Sequence, residues 1–461
     1  MEKYGPVRVG LLGVGTVGTG TLEVLTRNAL EISRRAGRRI VITHASARNE
    51  SRARERLADR AQFVADPMQI VTHPDIDVVV ELIGGEQPAL DLVNAAIRGG
   101  KHVVTANKAL LAHHGNELFA AASARGVMVA FEAAVAGGIP IIKALREGLS
   151  ANRIESIAGI INGTTNYILS EMRDRGASFD AVLADAQALG YAEADPTFDI
   201  EGVDAAHKLS LIAAIGFGVP VQFHRCHVEG INGLDGRDIA YAGNLGYRIK
   251  LIAMARRREP VDARSASVAG AGTEGSAGGI ELRVHPTLVP AKRLIANVEG
   301  AMNAIWVKGD AVGQTLYYGQ GAGALPTASA VVADLIDVAR TLTADPEHRV
   351  PHLAFQAESL ADSQASSPIL PMGETETAYY LRLRVADEPG VLADITRYLA
   401  DARISLESVL QPAPAQASQH TDVILLTHRT IERRMDEAIQ RIEGLASVVG
   451  RIVRIRLEDL T

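Results

Sequence analysis

Cysteine is almost absent: the 461 residues hold one, Cys226, so no internal disulfide can form. That fits a reducing compartment. Cys226 lies in FHRCHVEG with no supporting motif, which favours a buried or incidental thiol over a nucleophile. Aromatic residues are scarce at 4%, whereas Ala and Gly are abundant, a bias that suits close helix–sheet packing and tight loops near a cofactor. No apolar run reaches the roughly 18 residues that span a bilayer. The N-terminus has no cationic segment ahead of a signal-type apolar stretch. Excess basic charge is also missing, since the formal net charge is −7. A nucleic-acid partner is therefore disfavoured, and a cytoplasmic protein without a membrane partner is expected. What is present is enough apolar residue, 47%, to build large cores. The length gives a prior of about three domains.

Residues 7–12 form an apolar run of strand length, Gly13, Gly15 and Gly18 follow, and a helical pattern continues to about residue 33. Further strands are expected at 40–45, 78–83, 102–105 and 127–131, with helical patterns at 89–98 and 110–125 between them. This alternation indicates a parallel, doubly wound sheet. From 135 to 319 helices mix with strand candidates at 154–161, 280–284 and 304–307, and 270–279 (GAGTEGSAGG) reads as a flexible loop. A glycine turn and a helix begin at Gly319. Residues 345–376, rich in Pro, Ser, Ala and Glu, read as a linker. Strands and helices alternate again over 378–457, and no solenoid-type repeat is visible.

Gly13-Val14-Gly15-Thr16-Val17-Gly18 has dinucleotide-binding spacing between a strand and a helix. Its glycines permit a tight turn, backbone approach to a pyrophosphate, and close helix–strand packing. The acidic residue usual at the end of the second strand is missing. Ala47-Arg48-Asn49 stands there, with Arg52 and Arg54 beyond. Arg48 can pair with a 2′-phosphate, which favours NADP over NAD; a solvated basic loop is the alternative. Thr105-Ala106-Asn107-Lys108 follows the fourth strand and reads either as a ligand-facing lysine or as a capped helix start. Asn162-Gly163-Thr164-Thr165-Asn166-Tyr167 crowds hydroxyls and amides at a helix start. The stretch from Gly190 to Lys208 gathers Glu193, Asp195, Asp199 and Glu201 around Pro196, then enters a helix over 203–216. Asp204 and Lys208, four apart, share a face of it. A lysine in a closing cleft can move a hydroxyl proton during hydride transfer, and carboxylates can hold an amino-acid ammonium. An exposed ion pair beside an acidic loop is the plainer reading. His207 points away from Lys208 and reads as structural.

With these stretches in view, the chain resembles homoserine dehydrogenases over nearly its whole length. The likeness rests on GLLGVGTVG, TANKALLAHHG, FEAAVAGGIPII, GIINGTTNYIL, LGYAEADPTFDIEGVDAAHKL and GQGAGALPTASAVVADL, in that order. It implies interconversion of L-aspartate 4-semialdehyde and L-homoserine with NAD or NADP, in threonine, methionine and isoleucine biosynthesis. Lys208 is then the acid/base residue. Glu193 and Asp204 hold substrate, with Asp199, Gly190 and Thr164 beside them. Lys108 stands between cofactor and substrate. Thr16, Val17 and Thr105 join the glycines at the cofactor, and Gly321 and Gly323 form a second cofactor loop. Glu132, Val135, Gly137 and Ile139 match a monovalent-cation site, usually sodium; the residues alone read as a glycine-rich hinge whose carbonyls suit a hard cation.

The run YYLRLRVADEPGVLADITRYLADARISLESVLQ resembles an ACT domain, a βαββαβ module that commonly pairs at an edge and binds an amino acid. L-Threonine is the effector this implies. Where the family often has asparagine after the first helix, this chain has Arg403-Ile404-Ser405. The architecture expected is α/β: a Rossmann-type doubly wound sheet in 1–134, completed by about 318–342; an α+β catalytic and dimerisation domain in 135–317; a linker in 343–377; and a ferredoxin-like ACT domain in 378–457. A homodimer or homotetramer is expected. Another Rossmann dehydrogenase for a related amino or hydroxy acid, and a non-catalytic metabolite sensor, are the alternatives. Glu193, Asp204 and Lys208 together weigh against a sensor, which needs no acid/base lysine beside a hydride path.

Overall fold

The computed structural model describes residues 5–260, 278–356, 360, 367–412 and 419–461. The loop expected at 270–279 lies outside these as far as residue 277. Valine-rich runs such as Val78–Glu81, buried at every position, suit strands covered on both faces. Six parallel strands line up in the order Gln62–Phe63, Ile40–Ser46, Val7–Leu12, Val78–Glu81, His102–Thr105 and Val129–Ala130. The chain winds outward in both directions from Val7–Leu12, so the switch point, where such sheets bind ligands, lies at that strand's C-terminal end. The expected helix through residue 33 is two helices, Thr16–Arg27 and Ala29–Ala36, divided at Asn28. The helix Ala324–Thr341 returns to pack on Thr16–Arg27. A Cβ on Gly20 would stand 2.5 Å from the Ala324 carbonyl oxygen, so only glycine allows this approach.

The second sheet runs Gly313–Gln320, Met302–Gly309, Ile154–Ile160, Tyr247–Arg258, Gly279–Pro290, Val453–Leu457, Glu376–Ala386, His420–Thr427 and Leu406–Leu410. The helix Val203–Phe217 is buried along most of its length and packs on this sheet. The last four strands, with the helices Val391–Asp401 and Glu432–Glu443, form the ferredoxin-like unit expected for the stretch that resembles an ACT domain. Its sheet does not stand apart. Thr287 and Leu288 pair in parallel with Arg456 and Leu457, so one ladder joins the catalytic and ACT regions. The chain itself thus covers one edge of the ACT sheet and leaves Leu406–Leu410 as the other.

The segment read from composition as a linker is partly strapped down. His352 stacks on Phe119 at 5.4 Å between centroids and accepts the Val129 N–H at 3.0 Å. It thereby satisfies a donor on the edge strand of the parallel sheet, which otherwise invites pairing. Arg349 donates to the Gly126 carbonyl at 2.8 Å. Composition missed this because a strap needs a few anchors rather than a periodic face. Among the described residues no helix is long and apolar enough to cross a membrane.

Candidate active site

The glycine loop is shaped by contacts that only glycine tolerates. Gly13 has φ +104°, and a Cβ there would lie 2.6 Å from the Leu82 carbonyl oxygen. A Cβ on Gly18 would meet the Gly13 carbonyl oxygen at 2.1 Å. At Gly15 it would meet nothing within 4 Å, so open space lies beside the start of the helix Thr16–Arg27. That helix has no side-chain cap and no acidic residue in its first turn, so the amides of Thr16 and Val17 remain for an anion. Arg48 is exposed just beyond the strand Ile40–Ser46. Arg54 is paired with Glu50 at 2.8 Å and lies over Phe63. Arg56, which the sequence reading passed over, reaches the loop itself and donates to the Val14 carbonyl at 2.7 Å.

The polar centre lies where the strand Ile154–Ile160 ends. Asn162 caps the helix Gly163–Arg175, its Oδ1 accepting from the Thr165 amide at 2.8 Å. Its Nδ2 donates to Asp199 Oδ1 at 2.7 Å and to Asp204 Oδ2 at 2.8 Å. Lys208 Nζ donates to Asp204 Oδ2 at 2.6 Å and to the Ile161 carbonyl at 2.9 Å, leaving one of three N–H donors unspent. Lys108, the first residue of the helix Lys108–Arg125, brings Nζ to 3.3 Å from Asp204 Oδ1. Burial alone would raise the Asp204 pKa, but Lys208 and Lys108 outweigh it and hold the carboxyl at about 2. Asp199 is shifted the other way, raised by burial and by the Asp204 charge. Two carboxylates one amide apart thus differ in how readily they take a proton.

The remaining predicted residues fall into three groups. Thr164 donates to the Tyr191 carbonyl at 2.6 Å and lies 3.3 Å from Asp199, which pins the loop beginning at Gly190 to the helix Gly163–Arg175. Gly190 has φ +77°, and Glu193 is exposed on that loop, its carbonyl accepting from Gln187. Thr105 is wholly buried, and its hydroxyl donates to Glu81 at 2.6 Å. Gly137 and Gly321 meet backbone to backbone, with a Cβ on Gly137 falling 2.5 Å from the Gly321 carbonyl oxygen; Gly323, at φ +130°, leads into Ala324–Thr341. The hinge and the second loop are therefore one packed unit. Glu132 is buried there, its carboxylate accepting the amides of Ile142 and Lys143, both at 2.9 Å. Burial and Asp334 raise its pKa to about 7. Val135 directly precedes the left-handed pair Ala136 and Gly137, and Ile139 follows one residue beyond it.

Two titratable groups outside the polar centre are held in their neutral forms. Burial pushes the Cys226 thiol up to about 12. His207 is buried against Phe223, with ring centroids 4.3 Å apart; burial, with His113 and Lys108, lowers its pKa to about 4. Sequence reasoning missed the organising roles of Asn162 and Glu81. Glu81 is fully buried and also accepts from the Ile83 amide at 2.8 Å, which ends the strand expected to reach residue 83. The signal was a carboxylate closing an apolar run, VVVELIGG.

Three family models match the chain: "Homoserine dehydrogenase" over 140–336, "Homoserine dehydrogenase, NAD binding domain" over 13–132, and "ACT domain" over 379–447. A homoserine dehydrogenase of Pseudomonas aeruginosa is 56% identical over 455 residues, covering 99% of each chain. The crystal structure of a homoserine dehydrogenase from Thiobacillus denitrificans is 61% identical, covers 99% of each chain and superposes with a TM-score of 0.90. A hyperthermophilic archaeal homoserine dehydrogenase in complex with NADPH, 24% identical with a TM-score of 0.58, shares the fold over 72% of this chain and 97% of its own.

The Asp204 environment has a consequence for acid stability. A carboxyl held at about 2 in the folded state and near 3.8 when unfolded stabilises the protein fully above 3.8. That contribution is lost as pH falls through about 2. Asp204→Asn should remove this part of the acid limb in denaturant titrations run at several pH values. It should also cost about 1–3 kcal/mol at neutral pH through weaker bonds to Lys208. An unchanged acid limb would contradict the assignment.

Proposed function

The chain belongs to the homoserine dehydrogenase family, NAD(P)-dependent oxidoreductases acting on a CH–OH group, and from that premise we propose how its residues divide the work of interconverting L-aspartate 4-semialdehyde and L-homoserine. A bound nicotinamide supplies or accepts the hydride. The residues fit a dinucleotide: open space beside Gly15 adjoins the uncapped amides of Thr16 and Val17. Lys208 is the acid/base group. In the reducing direction it gives a proton to the oxygen of the aldehyde as negative charge develops there; in the oxidising direction it takes the hydroxyl proton. The observation that carries this reading is the bonding of Lys208 Nζ, fixed by Asp204 and the Ile161 carbonyl with one donor to spare.

Asp204 stays ionised and orients both lysines. Lys108 adds positive charge beside the developing alkoxide. Glu193 and Asp199 serve the substrate ammonium, and Thr164 and Gly190 shape the loop that carries them. Arg48 and Arg56 favour a cofactor with a 2′-phosphate, so NADP is the preferred form. A monovalent cation, sodium by the chemistry of oxygen ligands, suits the carbonyls of Val135 and Gly137. Glu132 and Ile139 fit it less directly, since the Glu132 carboxylate is engaged with amides and the Ile139 carbonyl accepts the Ile141 N–H at 2.8 Å.

The ACT domain regulates the enzyme in this reading, with L-threonine as effector. A continuous set of contacts supports it. Arg456 of the last ACT strand is buried and donates to both oxygens of Glu229, at 2.7 and 2.8 Å. Next to Glu229, Gly230 packs so closely that a Cβ would lie 2.4 Å from the Ile200 carbonyl oxygen, and Ile231 N–H donates to that oxygen at 2.8 Å. Ile200 adjoins Asp199. Effector-driven movement of Val453–Leu457 therefore has a short route to the substrate loop.

Following NADPH and NADH oxidation with aspartate semialdehyde tests the activity; no turnover with either cofactor would end this reading. Lys208→Ala should lower kcat by about 10²-fold or more with the fold retained by circular dichroism. A near-normal rate would remove Lys208 from the chemistry. Arg48→Ala should lower kcat/KM for NADPH more than for NADH, and exchanging alkali-metal salts for tetramethylammonium chloride should slow the enzyme. An unchanged cofactor ratio or rate would discard the corresponding part. Glu229→Gln should leave threonine binding intact by calorimetry while weakening inhibition several-fold; full inhibition in the variant would exclude the Arg456–Glu229 route.

A further inference from the structure

The helix Lys108–Arg125 has Lys108 at one end and a cavity beside its other end. Its C-terminal half, Pro220, Val221, Gln222, His224 and the strap from Pro346 line a cavity of about 770 Å³ that opens to solvent. That is the size of small-molecule sites. None of Lys108, Asn162, Asp204 or Lys208 lines it. Its apolar surface comes from Phe119, Val221, Leu353 and Phe355; its polar surface includes Arg146, Arg349 and Gln222. Val350 and Phe355, also in its wall, are 46% and 39% exposed, which is apolar surface for a ligand to cover.

The charges in this wall are one-sided. No Asp or Glu is among the described residues that line the cavity, although the chain carries a net charge of −7. The Arg146 side chain is 7% exposed and pairs with Glu147, which lies outside the lining. Arg349 donates to the carbonyls of Gly126 and Ala344 at 2.8 and 3.0 Å. Its Nε–H is buried without an acceptor, as is the Nε2 of Gln222. His352 lies in the field of both guanidiniums; burial first, then Arg146, keep it neutral, with a pKa of about 4. Buried donors without acceptors are uncommon and call for an explanation. A cationic wall beside an apolar one suits a molecule with an anionic head and a hydrocarbon body.

We propose that this cavity binds an amphipathic carboxylic acid without an amino group, its carboxylate on the Arg349–Arg146 wall and its hydrocarbon part against Phe119, Val221, Leu353 and Phe355. An ammonium would meet the same positive wall, because the carboxylates that act on these arginines, Glu147 and Asp345, lie outside the lining. Zwitterionic amino acids are therefore rejected, which separates this site from an amino-acid site on the ACT domain.

Isothermal titration of the full chain with octanoate tests the proposal, with octanol and 2-aminooctanoate as comparisons. Saturable one-to-one binding of octanoate is expected. Both comparisons should bind about tenfold or more weakly, the size of one charge-assisted hydrogen bond. Ala120→Phe places a ring in the cavity from an exposed helix position and should abolish binding with turnover unchanged. Arg349→Gln should weaken binding by about tenfold. No saturable heat, equal affinity for octanol and octanoate, or full binding by Ala120→Phe overturns the proposal.

Discussion

Asp204 is a carboxylate with 4% of its surface exposed, and the active centre is built to keep it charged. Taking such a group out of water costs several kcal/mol unless partners replace its hydration. Here the partners are Lys208 from its own helix, Asn162 from a strand end and Lys108 from the nucleotide-binding side. Each has a second duty. Asn162 caps a helix and also binds Asp199; Lys208 bonds the Ile161 carbonyl; Lys108 opens a helix whose other end meets the strap. One buried charge therefore ties together elements far apart in the chain. Loss of any partner would leave it under-compensated, so the geometry around Lys208 and the stability of the fold are linked.

Much of this was legible in the sequence because it depends on local spacing. The glycine loop follows from a strand run, three glycines and a helix. The Asp204–Lys208 pair follows from the helical repeat, although the pattern alone favoured an exposed ion pair. Burial decides between those readings, and burial comes from Ile154–Ile160 and the Gly163–Arg175 start, which lie distant in sequence. Family likeness, not residue spacing, supplied the substrate, the second cofactor loop and the ACT domain. What stayed hidden were contacts without periodicity. Arg56 reaches the glycine loop across 42 positions, and His352 caps an edge strand 223 positions earlier. A composition-based reading sees only a polar tail of a helix in the first case and a linker in the second.

The two ends of the molecule are joined with similar economy. Arg456 is fully buried between Glu229 of the catalytic region and Glu432 of the ACT domain, and Tyr379 donates to Glu432 at 2.6 Å. Asp238 likewise receives Arg382 at 2.6 and 2.9 Å and the Tyr380 hydroxyl at 3.0 Å. Buried ion pairs of this kind add little net stability but fix which surfaces may meet. They hold the ladder between Gly279–Pro290 and Val453–Leu457 in one register.

That shared ladder bears on how the protein can be cut or recombined. A regulatory module attached by a tether can be exchanged or removed with little effect on its host. Here removal would strip Thr287 and Leu288 of their strand partners and leave a strand edge, buried in the intact chain, open to any other strand. Chimaeras that graft a different C-terminal module must therefore reproduce the strand and its arginine. Otherwise the catalytic part becomes the sticky fragment.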